Sequence, residues 1–386
     1  MDKSSLKVLY FSRGYTTHDR RYLQSLVDVG YQISYLRLLN EQLDSRPLPE
    51  RVHPIPWVGE TRSFDTPFGY LSRYISLQRI LSDIRPQIVI AGPVQSSAFL
   101  VALTGYKPLV TMSWGSDVLI EANRSVWMRK ITHYTLKRSA AVISDCRAVR
   151  EKICGFIPFK EDRIVTFPWG IDLDSFVPRV SRLSLRQELG WTHNPILIST
   201  RTWEPLYAID VLVSAYAIVH QRQPKARLIL LGDGSQGPVI RALISQLNLN
   251  DYIYAPGRVS YELLPDYFCL ADVYVSSALS DGTSISLLEA MACGLPVVVT
   301  NSDGNREWVK PGQNGWLVKP GDYAELANAL DEALADPFRR AEMKAANTSL
   351  AQNKADWKKN FPQLLQLLQR ATGSSFVVGC QNAGTW

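Results

Sequence analysis

Residues 276–299 read SSALSDGTSISLLEAMACGLPVVV, and an apolar run, Ala271-Asp272-Val273-Tyr274-Val275, leads straight into them. The run predicts a strand, and Leu279-Ser280-Asp281-Gly282-Thr283-Ser284 a polar turn. Ile285–Cys293 then predicts a helix closed by Gly294, and Pro296–Val299 a second strand. A turn that opens onto a helix N-terminus gathers unpaired N–H groups at the positive end of the helix dipole, which suits a phosphate. Gly282 lets the backbone come close to a ligand, and Thr283, Ser284 and Ser286 add hydroxyl donors. Asp281 lies on the turn and Glu289 two turns into the helix, so one can meet the reacting part of a ligand while the other holds a part farther along. Ser286-x-x-Glu289 also fits a capping box, which leaves Glu289 two readings, cap or ligand residue.

Outward from this stretch the same alternation repeats. Leu6–Phe11, a turn at Ser12-Arg13-Gly14-Tyr15, a helix ending at Gly30 and a strand at Ile33–Leu38 predict a Rossmann-like β–α–β opening. Only Gly14 lies in that first turn, so the dinucleotide fingerprint is absent and a dehydrogenase is disfavoured. Residues 41–70, rich in proline and charge, predict loop; Ile75–Asp83 predicts a helix, and Ile88–Ala91, Pro108–Met112 and Ala141–Ser144 further parallel strands. Beyond a polar connection at 181–194, Ile196–Thr200, Arg227–Leu231 and Tyr252–Ala255 open a second α/β series, each strand followed by a turn and a helix. Arg201 stands at the carboxyl end of the first of these strands, where open α/β sheets gather ligands. Asp117, in Trp114-Gly115-Ser116-Asp117, stands at the corresponding end of a first-half strand and is also placed to cap the next helix.

Composition narrows the class. The 386 residues suit two domains of ordinary size, and 46% hydrophobic content suffices for two cores. Five scattered cysteines without a C-x-x-C indicate neither a zinc site nor a disulfide framework, and reduced thiols in a cytoplasmic protein are expected. The N-terminus lacks a charged region followed by an apolar core, so no signal peptide is expected, and no run is long and apolar enough to span a membrane. The net charge of +6 is uneven: residues 1–180 carry 24 Lys+Arg against 17 Asp+Glu, the remainder 18 against 19. A basic first half suits an anionic partner, whether a membrane surface touched from the cytoplasmic side, a lipid diphosphate or nucleic acid, and Arg124–Arg138 predicts a helix with Arg129, Lys130, His133 and Lys137 on one face and Trp127, Ile131 and Tyr134 on another. The same basic face equally suits plain solvation. No helix-turn-helix, RNP or zinc signature supports a nucleic-acid partner.

The tail Glu289-Ala290-Met291-Ala292-Cys293-Gly294-Leu295-Pro296-Val297-Val298, with an acid eight residues before Glu289, resembles the signature of the family 4 retaining glycosyltransferases of the GT-B fold (glycosyl transferases group 1). The resemblance implies two Rossmann-like doubly wound domains facing across a cleft: an acceptor domain at 1–180 and a nucleotide-sugar-binding domain at 195–350. A helix at 355–370 would cross back to the first domain, and 373–386 would form a loose tail. It implies a hexosyltransferase that moves a sugar, with retention and without a metal or other cofactor, from a nucleotide-diphosphate donor to a hydroxyl acceptor in glycan, polysaccharide or lipid-linked saccharide synthesis, a UDP-sugar being favoured. By the same resemblance Arg201 clamps the donor diphosphate, Asp281 orients the sugar and Glu289 grips the ribose. Gly14 lets the first domain approach the phosphates, and Asp117 belongs to the reacting site. Gly257-Arg258-Val259 matches the loop whose main chain pairs with the base, and Pro168-Trp169-Gly170-Ile171-Asp172 the interdomain hinge, so Asp172-x-Asp174 is read as structural rather than as a metal-binding D-x-D. Three positions depart from the family pattern: the usual first acid, Glu, is Asp281; the usual His is Trp114; and the Lys that completes the diphosphate clamp is replaced by Leu206 or Tyr207. An epimerase or hydrolase sharing the nucleotide site, or a non-catalytic nucleotide-binding module, are the rival expectations.

Overall fold

The structure is a computed structural model that describes residues 5–40, 44, 46–57, 67–182 and 184–373; the tail expected at 373–386 lies, past Gly373, outside them. Two compact units divide the chain, one of residues 1–167 with 361–386, the other of residues 168–360.

The first unit contains β1 (Lys7–Ser12), α1 (Thr17–Asp28), β2 (Gln32–Arg37), β3 (Val52–Ile55), α2 (Pro67–Ile84), β4 (Ile88–Ala91), α3 (Ser97–Thr104), β5 (Leu109–Met112), α4 (Ser116–Leu119), α5 (Val126–Arg138), β6 (Ala141–Ser144), α6 (Arg147–Phe156) and β7 (Ile164–Thr166). Its strands pair in parallel in the order β3-β2-β1-β4-β5-β6-β7. Helices cover both faces, so β4, β5 and β6 are buried at every residue and read as unbroken apolar runs rather than alternations. The strand β3 falls within the stretch expected to be loop, and α2 begins at Pro67 rather than near residue 75. β3 is short and carries Pro54, which a sheet tolerates at an edge, and an edge is where β3 lies.

The second unit contains α7 (Leu185–Glu188), β8 (Ile196–Ser199), α8 (Ile209–Arg222), β9 (Arg227–Leu231), α9 (Gly237–Gln246), β10 (Ile253–Gly257), α10 (Leu264–Leu270), β11 (Val273–Ser276), α11 (Ile285–Ala292), β12 (Val297–Thr300), β13 (Gly315–Val318), α12 (Tyr323–Ala335) and α13 (Pro337–Lys354). The helix α14 (Trp357–Thr372) starts in this unit and ends in the residues grouped with the first. The sheet is again parallel, in the order β10-β9-β8-β11-β12-β13. Two Rossmann-like α/β domains with parallel sheets therefore form the chain, as in the GT-B fold.

The helix α11 is the hub of the second unit. Ser284 caps it, accepting from Leu287 N at 3.4 Å, and Gly294 ends it at φ +84, where Gly294 N and Leu295 N bond to Met291 O and Ala290 O, both at 2.9 Å. Leu287, Leu288, Ala290, Met291 and Ala292 are all buried, so the helix is enclosed on every side. Asn347 of α13 locks it from outside, donating to Leu295 O at 2.7 Å and Asn314 O at 2.9 Å. The sequence reading missed α13, whose surface is largely polar. Its start carries a readable signal: Asp336 accepts from Phe338 N and Arg339 N ahead of Pro337 at the first helical position.

Candidate active site

The strand order of the second sheet reverses between β8 and β11, and at such a switch point the loops leaving the two carboxyl ends diverge and open a crevice. Both loops are the ones singled out in the sequence: Arg201 follows β8, and residues 277–284 follow β11 and run into α11. Hydrogen bonds tie them together. Leu279 N donates to Leu206 O at 2.8 Å, and Ser277 Oγ donates to Tyr207 O and Ala208 O at 2.9 and 2.8 Å. Gly304 supports the second loop from behind. A Cβ there would fall 1.9 Å from Gly282 O, so only glycine admits this approach.

The Arg201 side chain is buried and crosses to the N-terminus of α11. Its Nη1 donates to Ser284 Oγ at 2.5 Å and Ser286 Oγ at 3.1 Å, and its Nη2 pairs with Asp281 Oδ2 at 2.8 Å. The guanidinium lies over the Tyr207 ring, 4.2 Å from its centroid. Tyr274 OH meets Ser286 Oγ at 2.7 Å, so β11 closes the network from below. Burial alone would make Arg201 easier to deprotonate, but the Asp281 carboxylate together with Tyr207 and Tyr274 outweighs it and holds the guanidinium charged. Burial pushes the Asp281 carboxyl above its ordinary value, against Arg201 and Ser284, which pull it down. Arg201, Asp281, Ser284 and Ser286 thus form one cluster, a fixed cation at a helix N-terminus, which is an arrangement for holding an anionic ligand.

The remaining residues proposed from sequence fall at definite places around it. Thr283 is buried within the same turn. Glu289 is only 3% exposed and sits in the second turn of α11. Because Ser284 is the N-cap, the third helical residue is Leu287, and Glu289 lies too far along to complete a capping box, which removes the cap reading. Gly257 ends β10, and its carbonyl accepts from Gly232 N at 2.9 Å; a Cβ at Gly232 would meet Arg201 O at 2.6 Å. The Gly257-Arg258-Val259 loop therefore reaches the Arg201 loop through one intervening turn, with Arg258 exposed.

Gly14 and Asp117 belong to the first unit. Gly14 follows β1, and its carbonyl accepts from Ser12 Oγ at 2.6 Å and Tyr35 OH at 2.9 Å. Asp117 opens α4 and accepts from Val94 N, Trp114 N and Val118 N at 3.0 Å each and from Ser113 Oγ at 2.8 Å. Four donors from its own surroundings hold that carboxylate, so it ties the loop after β5 to the loop after β4. Asp172 accepts from Asp174 N, Ser175 N and Ser175 Oγ, and Asp174 pairs with Lys358, so these two acids organise a turn. Among the described residues no group of three or more His, Cys, Asp or Glu could hold a metal ion.

The sequence reading missed the stacking role of Tyr207, although it named the position as one where the expected lysine is absent. It also missed Asp19. This carboxylate is buried, accepts from Thr16 N at 2.8 Å and Tyr10 OH at 3.1 Å, and completes a capping box at the start of α1 that Thr16-x-x-Asp19 would have signalled. Burial pushes its pKa up to about 6, against the hydrogen bonds from Thr16, Ser12 and Tyr10.

Residues 181–350 match the family model described as Glycosyl transferases group 1, and residues 7–146 that described as Glycosyl transferase 4-like. Each unit thus resembles a glycosyltransferase family model, and the two-Rossmann architecture is that of the GT-B fold. Among curated relatives it is 29% identical over 209 residues to the GDP-mannose-dependent alpha-(1-6)-phosphatidylinositol monomannoside mannosyltransferase of Mycolicibacterium smegmatis, covering 52% of this chain and 55% of that protein. It is 30% identical over 244 residues to the D-inositol 3-phosphate glycosyltransferase of Xylanimonas cellulosilytica, covering 61% of this chain and 58% of that protein. The chain therefore spans little more than half the length of these curated relatives. Among solved structures, Anabaena HepE in complex with UDP and glucose matches with a TM-score of 0.79 at 19% identity, over 94% of this chain and 99% of that one, which establishes the likeness of fold.

Proposed function

We propose that the chain is a retaining glycosyltransferase that takes a sugar from a nucleoside-diphosphate donor and gives it to a hydroxyl acceptor, glycan or lipid-linked, without a metal. The observation that carries this reading is Arg201, buried, charged and held against the N-terminus of α11 at the sheet's switch point. When the glycosidic bond of the donor breaks, negative charge builds on the departing diphosphate. A guanidinium and a helix N-terminus fixed in place before the reaction stabilise that charge without reorganising. In this reading Asp281, next to Arg201, accepts hydrogen bonds from the sugar as it becomes oxocarbenium-like, and Glu289 accepts from the ribose. Holding the acceptor falls to the first domain. The lipid-linked acceptor follows the named substrate of the mycobacterial relative, a phosphatidylinositol mannoside, and the same relative adds GDP-mannose to the UDP-sugars as a donor to be tried.

The test is thermal unfolding with UDP, GDP, ADP and no ligand, since a ligand that binds only the folded form raises the midpoint. We expect a shift with one nucleotide that disappears in Arg201→Ala and in Glu289→Ala. The responding nucleotide then sets the donor panel for an assay of sugar transfer. Absence of a shift with all three at millimolar concentration would overturn the donor-site reading, and intact donor after long incubation with acceptors would leave a nucleotide-binding module.

A further inference from the structure

The cysteines are scattered along the sequence, but packing brings two of them together. Cys269 lies near the end of α10, and Cys293 is the residue that closes α11. The two helices pack against each other, and both cysteines belong to the core that encloses α11, Cys293 at 3% exposure and Cys269 half-buried at its margin. Their thiols hydrogen-bond to one another, and Cys269 Sγ also donates to Val177 O at 3.5 Å. Cys146 and Cys154 of the first unit have no such relation: one precedes α6 and the other lies two turns on, about 12 Å along the axis, too far apart for a bond.

The surroundings make the two thiols unlike. Asp266 stands one turn before Cys269 on α10 and gathers Arg179 Nη2 at 3.3 Å and Arg182 Nη2 at 3.2 Å. Two cations against one carboxylate leave this edge of α10 electropositive, and the Arg182 side chain is 72% exposed. The hydrogen bond with Cys293 draws the Cys269 thiol down to about 6, helped by the N–H and the charge of Arg179 and opposed by burial and Asp266. The same hydrogen bond, and then burial, push the Cys293 thiol up. A half-exposed thiol that ionises readily, beside a buried one that keeps its proton, is the arrangement of an attacking and a resolving cysteine.

We propose that Cys269 and Cys293 form a reversible thiol-oxidation site that exchanges with a small-molecule disulfide such as oxidised glutathione. The Cys269 thiolate attacks one sulfur of the reagent, whose S–S bond breaks; one glutathione leaves as thiolate and a mixed disulfide forms at Cys269. The proton of Cys293 passes to that departing thiolate, and Cys293 then attacks the Cys269 sulfur. The second glutathione leaves and takes from solvent the proton that Cys269 had released. Two protein thiols thus become one disulfide, and one reagent disulfide becomes two thiols. Only Cys269 has to be reached from solvent, because Cys293 meets its sulfur inside the core. A disulfide holds its sulfurs about 2.05 Å apart, closer than a hydrogen bond allows, so closing it draws the end of α11 toward α10. Cys293 N donates to Glu289 O at 3.0 Å, so Glu289 belongs to the turn that moves. An effect on nucleotide rests on the reading of Glu289 given above, whereas the bond itself does not.

The test is peptide mapping of the full, folded chain after incubation with oxidised glutathione, with the remaining free thiols capped by alkylation. We expect a Cys269–Cys293 disulfide that dithiothreitol reverses, with Cys146 and Cys154 found alkylated. Cys293→Ala should stop at a mixed disulfide retained on Cys269, and Cys269→Ala should leave Cys293 unmodified, with circular-dichroism melts establishing that each variant is folded. A native chain in which Cys269 stays free, keeps its glutathione or bonds to another cysteine would overturn the proposal whatever the variants do. With UDP, GDP and ADP in turn, the oxidised chain should bind the responding nucleotide at least about tenfold more weakly than the reduced chain, as for the loss of one charge-assisted hydrogen bond. Equal affinity in the two forms would refute the coupling to α11. A reduced chain that binds none of the three would count against the donor-site reading alone, and the mapping would still decide the disulfide.

Discussion

Asp281→Asn isolates the ion pair at the centre of the site. In the native chain Asp281 Oδ2 lies 2.8 Å from Arg201 Nη2, with the two side chains 16% and 9% exposed. The substitution keeps the shape and the hydrogen bonds of Ser284 and Ser286 but leaves Arg201 as a buried charge without its counterion. Breaking a buried pair from one side costs about 3–5 kcal/mol, and the partial exposure of Asp281 favours the lower end, about 3. For a unit of this size each kcal/mol moves the midpoint by about 2–4 °C, so unfolding should begin about 6–12 °C lower, followed by circular dichroism in the absence of ligand. A nucleoside diphosphate brings phosphate oxygens to the same guanidinium. Its stabilising shift, measured with UDP, GDP and ADP in turn, should therefore be larger in Asp281→Asn than in the native chain, while sugar transfer should fall if Asp281 orients the sugar as proposed, because the group has lost its charge. A variant that melts with the native chain would show that Asp281 does not compensate Arg201. A destabilised variant that no nucleotide rescues would show that phosphate does not reach Arg201.

Three further outcomes follow from single positions. Glu289→Gln keeps the volume of a residue enclosed in α11 and should weaken nucleotide-sugar binding at least about tenfold, as expected for a charge-assisted hydrogen bond, whereas donor affinity unchanged by calorimetry would make Glu289 a packing residue. Gly304→Ala sets a Cβ 1.9 Å from Gly282 O and should cost about 1–3 kcal/mol while displacing the Asp281–Gly282 turn; a native melting midpoint and native nucleotide affinity together would refute the tight approach. Asp19 is buried with its pKa raised to about 6, so its contribution to stability is full below the unfolded value near 4 and is lost as pH rises through 6. Relative to native, Asp19→Asn should therefore gain about 3 kcal/mol between about pH 4 and pH 8 in denaturant titrations, and parallel pH curves for the two proteins would refute it.

The α/β class and much of the site were legible in the sequence because the signals are local. Apolar runs of four residues bounded by turns became β4, β5, β6, β8, β11 and β12, since a strand buried on both faces needs no alternation. The helix α11 was placed to within a residue because Ser284 and Gly294 mark its ends through their own backbone chemistry. The strand β3 and the helix α13 were not legible: an edge strand forms by pairing with β2, and a mostly polar helix is held by a few contacts such as Asn347 with Leu295 and Asn314. The tertiary structure alone decided the rest. The strand order set Arg201 beside residues 277–286, about eighty positions away, and no local pattern carries that adjacency. It also showed that the aromatic ring of Tyr207 lies under Arg201 at the position where a lysine was expected, and that Trp127 is exposed while Ile131 and Tyr134, on the same expected face, are half-buried. The sequence fixes the period and ends of each element, because these depend on neighbours along the chain. Which side chains meet depends on how the parallel strands are ordered, and that is settled by packing across the whole sheet.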